Sequence, residues 1–449
     1  MGCPNKRYIP LHNTQKTQRP ASNAKLAADG TKEPWESCNL GSKNMSEPGT
    51  PATNRNPLQY VSETLQELRA KGVAPKLRIL EGEQKPVCVF DGQEVINLAS
   101  NNYLGLTSHK ALRKASVEAV KRLGVGAGAV RTIAGTMKLH MELEEQIAKF
   151  KQVEACVVFQ SGFTANAGTV SAVLGKEDLI VSDELNHASI IDGARLSKAT
   201  IKVFKHKDLE DCERILKETA DWNGHKLIIT DGVFSMDGDI APLPGLCGLA
   251  EKYGCIMMVD DAHASGVLGR GGRGTVDHFN CHGRVHIQVG TLSKAIGAMG
   301  GYVCGSRDLI DFLYLRARPF LFSTSHPPAT AAACQAAFAL LDSPEGEKLV
   351  KKLWANTKFF KRELKKRGFQ FKTSETPIIP IHVGDAAKAF EFSRKLFEAG
   401  VFAPAVGYPT VAEGKARLRA IISAAHKRGQ LLKAAEILGE VGKSLGIVS

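Results

Sequence analysis

Short apolar runs alternate with helix-length segments through the middle of the chain. Each run is three to five residues long, and the runs lie at residues 155–159, 179–181, 201–204, 227–229, 256–259, 286–289 and 302–304. Such alternation of strands and helices is typical of a mainly parallel sheet with helices packed on both faces. The pattern predicts an α/β fold, and in such folds ligands bind at the carboxyl ends of the strands.

The segments on either side of this region have other patterns. An amphipathic helix is expected at 58–72, and a short hairpin at 87–90 and 95–98. A helix at 329–341 leads to a basic helix, a strand at 378–383, a helix at 386–399, a strand at 416–422 and a last helix from about Gln430. We therefore expect a helix and hairpin segment at 57–110, a large α/β domain at 111–342 and a smaller α+β domain at 343–449.

Residues 1–56 form a polar extension in which Tyr8 and Trp35 are the only aromatic residues. Such a segment buries too little apolar area to offset the entropy of ordering, which predicts disorder. Five basic residues precede the first acid, Asp29, as in an organelle transit peptide, but amphipathic periodicity is lacking. We expect a cytoplasmic protein, with an organelle matrix as the alternative if this extension is a transit peptide.

The chain of 449 residues has 59 basic and 46 acidic side chains, which gives a formal net charge of +13. A basic excess favours nucleic acid, an anionic membrane surface or a polyanionic small molecule such as coenzyme A. No basic run is interleaved with aromatic residues, and no apolar stretch reaches the roughly 18 residues that span a bilayer. The ten cysteines are scattered without a C-x-x-C pair, which predicts reduced thiols rather than disulfides or a metal site. We therefore expect neither a nucleic-acid partner nor a membrane.

Two polar motifs follow apolar runs, and together they contain an amine and a carboxylate that one cofactor could use. Lys294 lies in GTLSKA at 290–295, directly after one run, and Asp260 ends another run some thirty residues earlier. In pyridoxal phosphate (PLP) chemistry a lysine amine forms the Schiff base and a carboxylate pairs with the pyridinium nitrogen. Thr291 has a hydroxyl and an N–H that suit the cofactor phosphate. Either residue alone would be read as a surface lysine or a helix cap, but the pair predicts a PLP site.

Eight motifs together resemble the α-oxoamine synthases, fold-type I PLP-dependent transferases that condense an amino acid with an acyl-CoA. The resemblance extends from about Pro57 to the C-terminus. The motifs are SNNYLGL at 100–106, RTIAGT at 131–136, SGFTAN at 161–166, DELNHASI at 183–190, DGVFSMDG at 231–238, DDAH at 260–263, TLSK at 291–294 and FSTS at 322–325. Any one of them is weak, but the order and spacing of all eight are specific.

The resemblance implies three catalytic residues, Lys294, His187 and Asp260. His187 resembles the imidazole that stacks on the cofactor ring, and Asp260 resembles the acid beneath the pyridine nitrogen. His263 resembles the partner of the cofactor phenolic oxygen. The freed amine of Lys294 is then expected to remove a proton from the substrate α-carbon, and the resulting carbanion attacks the acyl-CoA thioester.

The resemblance also assigns residues to the cofactor phosphate. Ser161, Gly162 and Phe163 form a strand-to-helix turn whose N–H groups would hold the phosphate at a helix N-terminus. Ser323 and Thr324 resemble residues that reach the phosphate from the neighbouring subunit. The expected assembly is therefore a homodimer with shared active sites.

Around the substrate carboxylate, the resemblance implies Asn101, Ser235 and Arg419, with Ser235 also near the cofactor. Arg419 is the second arginine of ARLR at 416–419, and a guanidinium suits bidentate binding of a carboxylate. Arg417 lies on the same strand face, so the residues alone leave both arginines open. The resemblance favours Arg419.

Two branches of the family compete for this chain. The glycine C-acetyltransferase branch resembles it at 231–238, 318–323 and 442–448, whereas the 8-amino-7-oxononanoate synthase branch often has paired arginines before Pro-Thr-Val, where this chain has Gly407 and Tyr408. Ser100 and Thr410, the latter expected to bind substrate, resemble the second branch. We expect glycine and acetyl-CoA to give 2-amino-3-oxobutyrate and coenzyme A. The alternatives are alanine with pimeloyl-CoA, dual specificity, and, remotely, a non-catalytic binding protein on the same scaffold.

Overall fold

The computed structural model describes residues 56–70, 77–371, 374–408 and 410–448. Apart from Asn56, the extension expected to be disordered lies outside the described residues. Residues 61–449 group into one unit, so the further division expected at residues 110 and 342 stays a prediction. Within the described part of the chain, no helix is long and apolar enough to cross a membrane.

The strands and helices follow one another in the order that the hydrophobic pattern predicts. The strands are β1 Leu80–Glu81, β2 Val87–Phe90, β3 Gln93–Asn97, β4 Ala155–Phe159, β5 Leu179–Asp183, β6 Thr200–Phe204, β7 Lys226–Asp231, β8 Ile256–Asp260, β9 Ile287–Thr291, β10 Gly301–Gly305, β11 Ile378–Gly384, β12 Val401–Phe402, β13 Ala405–Val406 and β14 Ala416–Ile421. The α-helices are α1 Gln59–Ala70, α2 Lys110–Leu123, α3 Lys138–Lys151, α4 Gly162–Val173, α5 Ala188–Ser197, α6 Leu209–Glu218, α7 Leu243–Tyr253, α8 Thr275–His278, α9 Arg307–Arg316, α10 Arg318–Leu321, α11 Pro328–Leu341, α12 Pro344–Lys366, α13 Ala386–Glu398 and α14 Arg428–Ser444.

A seven-stranded sheet forms the centre of the fold, in the order β4-β10-β9-β8-β7-β5-β6. Neighbours from β9 to β6 are parallel, and β10 runs antiparallel to both β9 and β4. Every residue of β4, β5, β9 and β10 is buried, as expected of strands covered by helices on both faces. The predicted α/β fold with a mainly parallel sheet is confirmed.

The two smaller sheets join segments that are distant in sequence. In one sheet the expected hairpin β2–β3 is present, and β12 adds to it in parallel through Val401 and Ile96. In the other, β14 lies between β11 and β13 with antiparallel pairing on both sides. The pairing of β3 with β12 was missed because local periodicity contains no information about partners some 300 residues away.

A buried ion pair fixes the segment after β8. Lys151, at the end of α3, and Asp261 are 1% and 0% exposed, and the Lys151 Nζ lies 2.9 Å from the Asp261 Oδ2. The same ammonium group donates to the backbone carbonyl of Arg273 at 2.6 Å. Asp261 also accepts the backbone N–H of Thr275 at 3.1 Å. Asp261, the residue next to Asp260, is therefore fixed in place by its contacts with Lys151 and Thr275.

Replacement of Lys151 by Met should destabilise the protein strongly, since it leaves the buried Asp261 carboxylate without its cation. We expect a loss of about 3–5 kcal/mol in the free energy of unfolding, measured by urea denaturation. The control is Lys252→Met, which breaks a surface pair with Glu213 and should cost less than about 1 kcal/mol. Equal losses in the two variants would contradict this account of the buried pair.

Candidate active site

Lys294 lies in the turn between β9 and β10, and its amine contacts a buried histidine. The Lys294 Nζ is 2.9 Å from the His263 Nε2, and the His263 Nδ1 is 2.8 Å from the hydroxyl of Tyr103. Burial lowers the pKa of Lys294 to about 8, although the carboxylates of Asp260 and Asp231 act in the opposite direction. Burial also holds the pKa of His263 well below its ordinary value, so this imidazole is neutral. The site therefore holds an amine that is partly unprotonated near neutral pH.

Asp260 ends β8 on the same edge of the sheet. Its side chain is 4% exposed, and its oxygens accept hydrogen bonds from the Asn166 Nδ2 at 2.6 Å and the backbone N–H of Ala262 at 2.8 Å. Among the described residues, no lysine, arginine or histidine lies within ion-pair distance of this carboxylate. Because a buried charge is costly without a partner, Asp260 suits a ligand that brings a cationic nitrogen. The protonated ring nitrogen of PLP fits this requirement.

His187 is linked to Asp260 by two polar residues. The Asn166 Nδ2 donates to both Asp260 and the Ser189 Oγ, and the Ser189 hydroxyl lies 2.7 Å from the His187 Nδ1. The backbone N–H of His187 donates to Asp231 at 2.8 Å. Burial lowers the pKa of His187, so the ring is neutral and suits stacking on an aromatic cofactor. Individual roles for Asn166 and Ser189 were missed, although both lie in motifs that carried the resemblance.

The turn before α4 has the form of an anion-binding site. Ser161 caps the helix by accepting the N–H of Thr164 at 3.1 Å. A side chain at Gly301 would come within 2.3 Å of the Ser161 carbonyl oxygen, so glycine is required there for β10 to approach this turn. Gly162 lies beside Thr291, while Phe163 is 45% exposed. The expected phosphate residues of this subunit therefore lie together at one helix N-terminus.

Ser323 and Thr324 lie near this turn but do not complete it within the chain. The carbonyl of Thr324 accepts the Gln160 Nε2 at 2.8 Å, which places the segment next to Ser161. Thr324 is exposed and Ser323 is half-buried. Within the described ranges, neither hydroxyl has a hydrogen-bond partner.

The structure distinguishes the two arginines of β14. The Arg417 guanidinium lies 2.5 Å from the Asp237 carboxylate. Arg419 is 8% exposed and donates to the Ser235 carbonyl at 2.5 Å and to the Asn101 Oδ1 at 3.2 Å. No carboxylate of the described residues pairs with it, and burial lowers its pKa. Arg419 is therefore the arginine that can accept a carboxylate from a ligand.

A cavity of about 830 Å³ extends from His187 and Ser235 to the segment that holds Thr410. Its wall also includes the charged side chains of Lys415 and Arg417. Thr410, which was expected to bind substrate, thus lines the same cavity as His187. Such a space suits an extended acyl chain whose reactive end lies next to His187.

Comparison with known proteins gives the family. The model for the family "Aminotransferase class I and II" matches residues 93–438, and the chain belongs to this family. It is 58% identical over 391 residues to 8-amino-7-oxononanoate synthase of Thermoanaerobacter pseudethanolicus, which covers 87% of this chain and 98% of the relative. It is 53% identical to 8-amino-7-oxononanoate synthase 1 of Bacillus subtilis, which covers 87% of this chain and 99% of the relative.

A solved structure gives the same result for the fold and cofactor. Serine palmitoyltransferase from S. paucimobilis, bound to a PLP-myriocin aldimine, matches with a TM-score of 0.83 and 29% identity over 88% of this chain and all of the other. The expected membership of the α-oxoamine synthases, the fold-type I architecture and the PLP cofactor are confirmed.

The expectation of glycine and acetyl-CoA as substrates is wrong. Relatives at 52–58% identity over nearly their whole length are 8-amino-7-oxononanoate synthases, the branch that was expected second. The error arose because this chain has no arginines before Pro-Thr-Val. Their absence was interpreted as the loss of the positive charge that would recognise a pimeloyl carboxylate. In the structure a basic side chain, Lys415, lies in the cavity wall a few residues after Thr410. The charge balance of the cavity therefore cannot be judged from positions 407 and 408 alone.

Cofactor attachment should depend on pH through the amine of Lys294. Because its pKa is lowered to about 8, the unprotonated fraction, and with it the initial rate of PLP attachment to the cofactor-free protein, should rise between about pH 7 and pH 9. Borohydride reduction followed by peptide mapping should place the pyridoxyl label on Lys294, and Lys294→Ala should carry none. A label on another lysine, or a rate that stays flat across this pH range, would contradict the assignment.

Proposed function

We propose that this chain is an 8-amino-7-oxononanoate synthase, which condenses alanine with a pimeloyl thioester and releases carbon dioxide and the thiol carrier. The observation that carries the proposal is the near full-length similarity to relatives of that name, at up to 58% identity. The cavity supports it, because about 830 Å³ beside His187 offers more room than an acetyl group needs. In the wall Arg417 is already paired with Asp237, whereas Lys415 has no ion-pair partner among the described residues and can contact a chain that ends in a carboxylate.

Each residue of the site has a separate role in the proposed reaction. PLP, when bound, supplies the electron sink that stabilises negative charge at the amino-acid α-carbon. The Lys294 amine holds or removes the α-proton, and burial keeps its pKa low enough for this. Asp260 would keep the pyridine nitrogen protonated, and His187 would pack on the ring. Arg419 binds the alanine carboxylate, because its buried guanidinium pairs with no carboxylate of the described chain.

A second copy of the chain completes the phosphate site in this proposal. Thr324 pairs with Val130 in an isolated bridge, and this neighbourhood exposes large apolar side chains: Ile133 is 82% exposed and Phe322 is 69% exposed. Apolar exposure of this kind beside a functional site is typical of an interface. The hydroxyls of Ser323 and Thr324 would then serve the phosphate of the partner subunit in a homodimer.

The substrate pair is tested by release of coenzyme A. We expect alanine with pimeloyl-CoA to be turned over with a kcat/KM at least about ten-fold above glycine with acetyl-CoA, because the long chain adds apolar contacts in the cavity. The four combinations of the two amino acids with the two thioesters separate the two choices. Preference for glycine and acetyl-CoA would reject the proposed function while leaving the PLP chemistry intact.

Recognition of the acyl terminus is tested with Lys415→Met. Lys415 is exposed in the cavity wall, and no carboxylate of the described residues pairs with it. Loss of a charge-assisted contact of about 1 kcal/mol should raise the KM for pimeloyl-CoA about five-fold. Heptanoyl-CoA has the same chain length without the terminal carboxylate, so its KM should not change. Lys433→Met, a surface change on α14, is the matched control. An equal effect on both thioesters would assign Lys415 to the carrier instead.

A further inference from the structure

His206, which has no role in the site so far, joins two buried carboxylates in the wall of the cavity. Its Nδ1 lies 2.9 Å from the Asp183 Oδ1 and its Nε2 lies 2.8 Å from the Asp239 Oδ2. The two aspartates are 3% and 5% exposed. A neutral imidazole has only one N–H, so hydrogen bonds from both nitrogens require the protonated ring. Burial alone would lower the pKa of His206, but the bonds to Asp183 and Asp239 outweigh it and raise the pKa to about 9.

The first carboxylate fixes the turn that carries His187. Asp183 is the last residue of β5, and its Oδ1 also accepts the backbone N–H of Leu185 at 2.9 Å. The chain then reaches His187, whose backbone N–H is held by Asp231. A shift of Asp183 would therefore move the start of the segment that leads to His187, the proposed ring-stacking residue.

The second carboxylate fixes the turn that carries Ser235. The backbone carbonyl of Asp239 accepts the N–H of Phe234 at 3.1 Å, and the Phe234 ring packs edge-on against His206 with centroids 4.3 Å apart. The next residue, Ser235, offers its carbonyl to Arg419. The His206 imidazolium thus connects the turn of His187 to the turn of Ser235.

Other charges around His206 compensate only one of the two aspartates. The Lys207 ammonium lies 3.2 Å from both Asp239 and Glu375. Glu184 accepts the backbone N–H of His206 at 2.9 Å. Among the described residues, Asp183 has no side-chain cation besides His206 within ion-pair distance. Without the imidazolium, Asp183 would therefore be a buried charge held only by backbone N–H groups, with no cation to balance it.

We infer that His206 is a positioning residue for the acyl donor, which holds the two turns on either side of the cavity at a fixed separation. It acts through Asp183 and Asp239, not on the reacting atoms. Only the identity of the acyl donor rests on the proposed function. The spacing of the two turns follows from the contacts themselves.

The test compares His206→Asn with His225→Asn, the same substitution at an exposed histidine just before β7. Hydrogen–deuterium exchange of the cofactor-loaded proteins should show exchange about ten-fold faster at residues 184–188 and 234–239 in His206→Asn only. The KM for pimeloyl-CoA should rise about ten-fold while kcat changes less than about three-fold, because Lys294 and Asp260 are positioned by other contacts. The sign of the pH effect follows from the raised pKa. In the wild type the imidazolium that bridges Asp183 and Asp239 should persist through neutral pH and be lost as the pH rises through about 9, and its stabilisation of the fold should be greatest below about pH 6.5.

Asp239→Asn provides a second variant, which keeps an acceptor opposite the Nε2 but removes one charge. It should change exchange and KM in the same direction by a smaller factor, and it decides the question if His206→Asn does not fold. Unchanged exchange in both turns would overturn the inference. A ten-fold fall in kcat with an unchanged KM for pimeloyl-CoA would also overturn it. If the wild type does not use pimeloyl-CoA, the proposed function fails, but the exchange measurement still tests whether His206 holds the two turns through Asp183 and Asp239.

Discussion

The buried carboxylate of Asp260 is the constraint on which the rest of the site depends. Moving such a charge out of water costs several kcal/mol, and the hydrogen bonds from Asn166 and Ala262 supply dipoles but no opposing charge. The charge of Asp260 also changes the pKa of a neighbouring carboxyl group. Burial and the charge of Asp260 raise the pKa of Asp231 well above its ordinary value. In the proposed site a protonated ring nitrogen would restore the balance, so binding of the cofactor and the protonation that it needs for catalysis would have the same electrostatic cause.

Those parts of the site that follow strands could be predicted from the sequence. Asp260 ends β8, and Lys294 follows β9, so the parallel pairing of these strands brings both residues to one edge of the sheet. Ser161 could be placed for the same reason, since it links β4 to the N-terminus of α4. The end of a strand can be predicted from the sequence because the strand ends where the hydrophobic run ends. The residue that follows is then fixed within one or two positions.

The supporting contacts could not be predicted, because they join residues through space. Lys151 pairs with Asp261 across 110 positions, and a lysine at the end of a helix is ordinarily solvated. His206 lies in a turn with no recognisable motif, and its partners are the last residue of β5, Asp183, and a residue of the loop after β7, Asp239. The residue types alone also left Arg417 and Arg419 open; the resemblance favoured Arg419, and the position of Asp237 shows the physical reason, since it pairs with Arg417. Residue type gives the chemistry that is available, whereas tertiary packing determines which groups remain unpaired and can bind a ligand.

The mistaken choice of branch has the same origin. Recognition of an acyl terminus depends on which charges of a cavity wall remain unpaired, and that wall is built from residues 184–191, 234–239 and 410–417 together. Removing arginines at one point of the wall does not remove the charge if Lys415 faces the same space. Selection between glycine and alanine depends on one methyl group, worth roughly 1–3 kcal/mol. Recognition of the acyl chain in the proposed site therefore depends on the whole wall rather than on one pair of side chains.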